Sequence, residues 1–491
     1  MKQLFTLATL LVLTATIALA QPSTVTVGNT TLDVRVVIQG NNSTNGIDIP
    51  WEIQWGPDGY IYMTERYGRV SRLDPETGGR TTILDLTSTV YDNAEAGLLG
   101  LVLHPDFENT PEVFLAYTYF SGGIKERIVK YTYNAVSNTL TNPQTLIEGI
   151  NGNTTHIGCR LLILPDNTLL ASTGDYQNQS SPQSNSNLSG KILRMNLDGT
   201  IPSDNPFGAS SYLYSKGHRN AQGLVLATNG NIYSSEHGPQ TNDELNIIVP
   251  GGNYGWPEVE GFCNQGWETS WCNNEASYVD PIAIWYENST IATSDIAWYD
   301  HPAIPEWQGK ILMAVLKTEH LKSIEVDAID GSTVVDQEIH FNSGHVNNPT
   351  STSSSTYNNG SFDRLRDVLV APDGRVFLAT SGPSWGTSGT FQNSIVELKN
   401  SSYSAVGVNE VREVKTSTYP NPASGQVTLK FASELVGSPY RILNNLGEIV
   451  LEGTIQNGKV IEDVSGLASG LYIIRSNNDQ YTTNQRLVIS K

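Results

Sequence analysis

Five short segments gather the side chains that could do chemistry in a chain of 491 residues that holds only 29 Lys plus Arg against 49 Asp plus Glu. His156, in Thr155-His156-Ile157-Gly158-Cys159-Arg160, has an imidazole that titrates near neutrality and so suits removal of a proton from an alcohol. Read alone, such a histidine is more often a satisfied core residue. Gly217-His218-Arg219-Asn220-Ala221-Gln222-Gly223 sets three polar side chains in a row before an apolar strand, which is costly unless an anion, a cofactor or protein groups satisfy them. Glu236-His237-Gly238-Pro239-Gln240-Thr241-Asn242-Asp243-Glu244, followed by Gly251-Gly252-Asn253-Tyr254-Gly255-Trp256-Pro257, is rich in carboxylates and in turns that expose carbonyls. Calcium takes such oxygen ligands, although the spacing is not that of the helix–loop–helix calcium site. Lys317 and Arg364-Leu365-Arg366 supply cations; on a strand, the two arginines share a face and repel unless carboxylates or a polyanionic ligand lie between them. Asp363 and Asp367 adjoin them but point to the other face, and a solvated face is the competing reading. Glu95-Ala96-Gly97-Leu98-Leu99-Gly100 lets backbone approach closely, and alone reads as a tight turn with a solvated acid.

These segments need a scaffold, and the chain between residues 45 and 400 repeats one. The unit is an apolar strand, a Pro-Asp-Gly-like turn and a second apolar strand. It occurs at Gly56-Pro57-Asp58-Gly59, His104-Pro105-Asp106, Pro165-Asp166-Asn167, Thr228-Asn229-Gly230 and Pro372-Asp373-Gly374, with a weaker copy at Trp307-Gln308-Gly309. Such turns supply the positive φ of tight hairpins. About six units at this spacing predict an all-β fold, a six-bladed β-propeller over 30–403, because radial repetition protects sheet edges. A large sandwich is the alternative; a β-helix has much shorter repeats. The composition changes after residue 400. A linker over 404–413 and a small β-sandwich over 414–491 are expected, with alternation in Gln426-Val427-Thr428-Leu429-Lys430-Phe431 and a last strand at Gln485-Arg486-Leu487-Val488-Ile489.

The ends and the charge narrow the setting. Lys2, an apolar run through Leu10–Leu13 and Ala18-Leu19-Ala20 read as a signal peptide over 1–20, and no later apolar run is long enough to span a membrane. A formal net charge of −20 argues against nucleic acid as partner. Export to an oxidising exterior permits a bridge between Cys263 and Cys272, leaving Cys159 as a buried thiol.

Taken together, the motifs resemble one family. Glu95 to Gly100 with His104-Pro105-Asp106-Phe107, Gly217 to Leu224, Gly238-Pro239 with Asp243-Glu244 and Asn246, Gly251 to Pro257, and Arg364-Leu365-Arg366-Asp367 with Pro372-Asp373-Gly374 are similar to the soluble glucose and sorbosone dehydrogenases that use pyrroloquinoline quinone (PQQ). The resemblance runs from Trp51 to Leu398. It implies oxidation of an aldose at the anomeric carbon, with His156 as general base and Arg219 near the reacting quinone oxygen. It implies cofactor contacts at Glu95, Arg219, Asn220, His237, Asp243, Thr290, Lys317, Arg364 and Arg366, and calcium held by the main-chain oxygens of Gly238 and Pro239, with Glu244 and Tyr254 at a second calcium. An external electron acceptor is implied as partner. Three positions depart from the family pattern: Thr155 stands where a carboxylate adjoins the base, and Glu95 and His237 replace amides. A binding propeller of the Hedgehog-interacting-protein type is the competing function; the presence of His156, Arg219, Lys317, Arg364 and Arg366 together favours the enzyme. The Tyr419-Pro420-Asn421-Pro422 opening and Gly466-Leu467-Ala468-Ser469-Gly470-Leu471-Tyr472-Ile473-Ile474 resemble the C-terminal sorting domain of type IX secretion, which implies export to the cell surface or medium.

Overall fold

The computed structural model describes residues 23–40, 47–285, 289–341, 356–357, 362, 364–381, 392–404, 412–444, 448–478 and 481–491. The expected signal peptide, Asp363 and most of the expected linker lie outside them. The chain divides into two compact units, Met1–Ser402 and Tyr403–Lys491.

Six sheets of four or five strands make up the first unit among the described residues. Their first strands are Pro50–Trp55, Leu98–Leu103, Gly158–Ile163, Ala221–Leu226, Thr293–Tyr299 and Leu365–Val370. Neighbouring strands of each sheet pair antiparallel, only Thr356–Tyr357 adding a parallel edge among the described residues, and all six repeated turns fall between a first and a second strand. Asn167 (φ +60°) and Gly374 (φ +84°) supply the left-handed residue that such turns need. Each first strand packs against the next, and Leu365–Val370 packs on Pro50–Trp55, so the cycle closes. These strands are covered on both faces. Leu98–Leu103 is accordingly apolar throughout and entirely buried, with no alternation. Gly100 has no room for a side chain, because a Cβ there would lie 2.1 Å from the Cys159 carbonyl oxygen of the neighbouring first strand. Thr30–Gln39 completes the last sheet by pairing with Ser394–Lys399.

Charged side chains from four first strands meet in the interior. Arg160 donates to Glu52 and lies 3.3 Å from both Asp295 and Asp367, whose second oxygen accepts the Ile53 N–H at 2.5 Å. Burial pushes the Glu52 carboxyl up to about 8 against the pull of Arg160.

Among the described residues, eight strands in two sheets build the second unit. One sheet runs in the order Arg412–Glu413, Tyr481–Ile489, Gly470–Asn477, Pro439–Leu443, Ile449–Thr454; the other pairs Ser417–Tyr419, Gln426–Lys430 and Lys459–Asp463. Alternate residues of both, among them Val427, Leu429, Ile442, Ile474 and Leu487, form one apolar core. In the first unit, Cys263 and Cys272 form the expected disulfide and Cys159 is free and buried. Among the described residues no helix is long and apolar enough to cross a membrane.

Candidate active site

His156 sits in the left-handed region (φ +58°) just before Gly158–Ile163, a conformation that costs a residue with a Cβ and points to a constrained functional position. Its backbone is clamped. The N–H donates to Glu95 Oε2 at 2.8 Å, the carbonyl accepts the Tyr176 N–H at 3.2 Å, and a Cβ on Gly174 would fall 1.8 Å from that carbonyl oxygen. The ring lies between Asp175 Oδ1, 2.6 Å from Nδ1, and Arg219 Nη2, 3.0 Å from Nε2. A guanidinium can only donate, so Nε2 carries the lone pair and Nδ1–H donates to Asp175. That tautomer is the one a base acting through Nε2 requires.

The departure at Thr155 stands, but it does not leave the base without a carboxylate, because Asp175 pairs with His156. The carboxylate comes from 19 residues further along the chain. Its Oδ1 also accepts the Gln177 N–H at 2.8 Å and its Oδ2 the Trp256 Nε1–H at 2.9 Å. Burial works to raise its pKa, but the bonds from His156, Trp256 and Gln177 outweigh it and hold the carboxyl below the ordinary range. Thr155 accepts from the Gln177 side-chain amide.

Glu95 is the meeting point of the expected cofactor residues. Besides His156 N–H, it accepts Asn220 Nδ2 at 3.4 Å, and its charge acts on Arg219, His237, Arg364 and Arg366. Arg219 donates Nη1 to the His237 carbonyl at 3.2 Å and stacks 5.5 Å from Trp256, while its Nε is buried without a partner. His237 Nε2 donates to the Thr293 carbonyl at 2.6 Å, and burial keeps this imidazole neutral by lowering its pKa. Arg366 donates to Gln222 at 3.1 Å but leaves Nε buried and unpaired. Burial, then repulsion from Arg364, pushes its pKa down to about 9. Among the described residues, Arg219, Lys317, Arg364 and Arg366 have no carboxylate within ion-pair distance, in a protein with 20 more acids than bases.

Other expected residues lie one step behind this cluster. Asp243 is fully buried; its oxygens accept Gly238 N–H at 2.9 Å, Ala292 N–H at 2.8 Å and the Thr290 hydroxyl at 2.6–2.7 Å, so Asp243 and Thr290 tie two loops together. Lys317 donates to Ser289. Glu244 accepts Asn246 Nδ2 at 3.1 Å and Gly261 N–H at 3.0 Å, and burial with repulsion from Glu236 pushes its carboxyl up to about 8. The Tyr254 phenol donates to the Ile247 carbonyl at 2.5 Å, which leaves its main-chain oxygen as the atom it can offer a cation. Gly238, Pro239, Glu244 and Tyr254 line one small cavity with Glu236 and Glu260. Among the described residues no three His, Cys, Asp or Glu side chains converge as a purely side-chain metal site requires.

A cleft of about 390 Å³ opens over His156 and Asp175, walled by Gln177, Asn178, Gln179 and Ser180 and by Arg219, Pro239 and Trp256. Sequence reasoning missed Asp175 and the 177–180 wall. The one available signal was a Gly-Asp pair directly after the apolar strand Thr168–Thr173. A Ser215–His218–Glu236 array (2.8 and 2.9 Å) has the order of a hydrolytic triad, but all three residues are buried and no substrate reaches them.

Residues 47–387 match the Glucose / Sorbosone dehydrogenase family and residues 417–490 the Secretion system C-terminal sorting domain. Quinoprotein glucose dehydrogenase B of Acinetobacter calcoaceticus is 34% identical over 316 residues, which is 58% of this chain and 64% of that protein, so the match leaves about a third of that relative uncovered. Aldose sugar dehydrogenase YliI of Escherichia coli (strain K12) is 28% identical over 69% of this chain and 88% of its own. The PQQ-bound form of aldose sugar dehydrogenase from Streptomyces coelicolor superposes with a TM-score of 0.61 and 31% identity over 75% of this chain and 98% of its own. With an all-β first unit of sheets like theirs and a sorting domain behind it, this chain belongs to the glucose/sorbosone dehydrogenase family.

Proposed function

We propose that the protein is a secreted quinoprotein that oxidises an aldose at the anomeric carbon, built on a six-bladed propeller over 30–403. The observation that carries the reading is a cluster of cations, Arg219, Arg364 and Arg366, that share the field of the single Glu95 carboxylate beside an oriented His156–Asp175 pair, with no carboxylate within ion-pair distance among the described residues. Buried guanidiniums with unpaired nitrogens call for an anion. PQQ, a tricarboxylate quinone, fits that demand, and Lys317, Arg219, Asn220, Arg364 and Arg366 are the residues that would hold it. Calcium fits the neighbouring cavity, where the Glu236, Glu244 and Glu260 carboxyls and the main-chain oxygens of Gly238 and Pro239 would supply oxygen ligands. When bound, PQQ accepts the hydride and calcium raises its electrophilicity.

The chain's own groups do the rest. Asp175 fixes the His156 tautomer, so Nε2 can take the proton of the sugar hydroxyl, and it stabilises the imidazolium that forms. Arg219 contacts Nε2 and would direct the hydroxyl toward it. Trp256 and the amides of 177–179 give the cleft a polar wall and an apolar edge suited to a sugar ring. The six sheets and their closed cycle of first strands support the six-bladed reading, and two sheets on one core support a small sandwich over 414–491. The sorting domain supports export by type IX machinery, with 1–20 as the signal peptide.

Titration of the mature protein with PQQ, with and without calcium, followed by a dye-linked sugar screen, tests the reading. Calcium-dependent binding and sugar-dependent dye reduction are expected. Equal PQQ affinity in a chelator would remove the bridging metal. PQQ binding without oxidation of any sugar would favour the binding-propeller alternative.

A further inference from the structure

Residues 174–190 join Thr168–Thr173 to Lys191–Asn196 with no helix or strand of their own. Connections that long within a compact unit are uncommon and are usually functional. This one carries Asp175 and, through Gln177, Asn178, Gln179 and Ser180, one wall of the cleft over His156. An irregular loop that is partly buried must find a partner for each of its carbonyls.

Lys191 supplies three of those partners. Its Nζ donates to the main-chain oxygens of Ser181 at 2.8 Å, Pro182 at 2.9 Å and Ser189 at 2.9 Å. The side chain is fully buried, and among the described residues no carboxylate lies within ion-pair distance of it. An ammonium has three donors, and here three loop carbonyls take them all. Burial and the in-register Lys216 push the amine's pKa down to about 7, and the three carbonyls are what favour the charged form against both. On its other side the loop is held by Gln183, whose Nε2 donates to Asn253 Oδ1 at 3.0 Å and to the Trp256 carbonyl at 2.9 Å. Thr173 Oγ1 donates to the Leu188 carbonyl at 2.6 Å.

We propose that Lys191 is a positioning residue for the sugar: its ammonium clamps residues 174–190 from beneath and so fixes the polar wall that meets the substrate. The proposal rests on the reading of this cleft as the sugar site. Lys191 touches neither the cleft nor the cofactor cations. Its loss therefore acts on sugar binding and leaves PQQ binding alone.

The test compares the mature protein with Lys191→Met, which keeps the stem and removes the donors, and Lys191→Arg, which restores donors. Hydrogen exchange of the apo-protein is read at 174–190, PQQ affinity by absorbance with calcium, and KM and kcat with an aldose. Lys191→Met is expected to speed exchange at 174–190 alone and to raise KM about tenfold, the effect of roughly one lost buried hydrogen bond. PQQ affinity stays within about twofold, kcat falls less than KM rises, and Lys191→Arg recovers part of the loss. Unchanged exchange at 174–190, or PQQ affinity lost in step with KM, overturns the proposal. Should Lys191→Met fail to fold, Gln183→Leu releases the loop from its other side and must give the same shift in exchange and KM; no shift overturns the clamp. A wild-type protein that binds no PQQ or oxidises no sugar defeats the functional reading instead, and the exchange data still judge the clamp.

Discussion

Replacing Asp175 by Asn exchanges one carboxylate oxygen for an amide at the point where the His156 tautomer is set. Three donors converge on Asp175: His156 Nδ1–H at 2.6 Å, Gln177 N–H at 2.8 Å and Trp256 Nε1–H at 2.9 Å. With its amide turned to Trp256, Asn keeps the first two donors and sets one N–H against another. Turned to His156, it deprives Gln177 of its acceptor and forces a proton onto Nε2, where Arg219 already donates. The first orientation leaves one conflict and the second leaves two, so the productive tautomer survives and only the charge is lost. A charge-assisted bond is worth about 1.5–3 kcal/mol, which is about 10–150-fold in rate. Dye-linked turnover at saturating PQQ and calcium should fall by that factor with PQQ affinity unchanged. The stability difference has a sign as well. Asp175 has a depressed pKa in the fold, so its contribution is present above the unfolded value of about 3.9 and is lost as pH falls through the folded value. The melting-temperature gap between wild type and Asp175→Asn should thus be open at pH 7 and close below about pH 4. An unchanged kcat, or a loss of PQQ binding equal to the loss of rate, would refute the orienting role.

His156→Ala should lower turnover by about 10²–10⁴-fold and leave PQQ affinity nearly intact in an absorbance titration; loss of PQQ instead would reverse the roles assigned here. Arg364→Ala and Arg366→Ala should each weaken PQQ about 10–150-fold, non-additively in the double variant. Because Arg366 is buried with an unpaired Nε, Arg366→Ala should not lower the melting temperature of the apo-protein, and a marked drop in calorimetry would show that its charge is already compensated. Deleting residues 413–491 should leave the enzyme folded but retained in the periplasm; cell fractionation that finds the truncated protein outside would remove the export role of the second unit.

The hairpin repeat was legible because each turn between a first and a second strand needs residues of unusual backbone freedom, and Asp, Asn and Gly mark all but the weakest copy, which carries Gly alone. The strand over Gln426–Lys430 was legible because one face is buried and the other is not, so its sequence alternates. The paired arginines were legible because two like charges two residues apart on a strand demand an explanation, although Arg364 itself precedes the strand that begins at Leu365. Asp175 was not. It reaches His156 only because residues 157–174 leave along one strand and return along the next, and nothing in the spacing of a lone Asp in a loop reports that return. Lys191 was hidden for a related reason: its partners are main-chain carbonyls, which have no letter in the sequence.

The sheet shared by Thr30–Gln39 and Ser394–Lys399 has a consequence for the order of folding. Arg35 is bonded to Glu397 across a sequence separation of 362 residues, and Arg375, just before the neighbouring strand Val376–Thr380, holds the same carboxylate. No prefix of the chain can complete this sheet, because its outer strands are made first and its inner ones last. Closing so large a loop costs only a few kcal/mol more entropy than closing a short one, yet pairings this distant in sequence are slow to find. The hairpin of Thr24–Val27 and Thr30–Gln39 must therefore wait for its inner partner until nearly the whole first unit has been synthesised. That delay makes closure of the cycle of sheets a late event, one that joins the two ends of the unit.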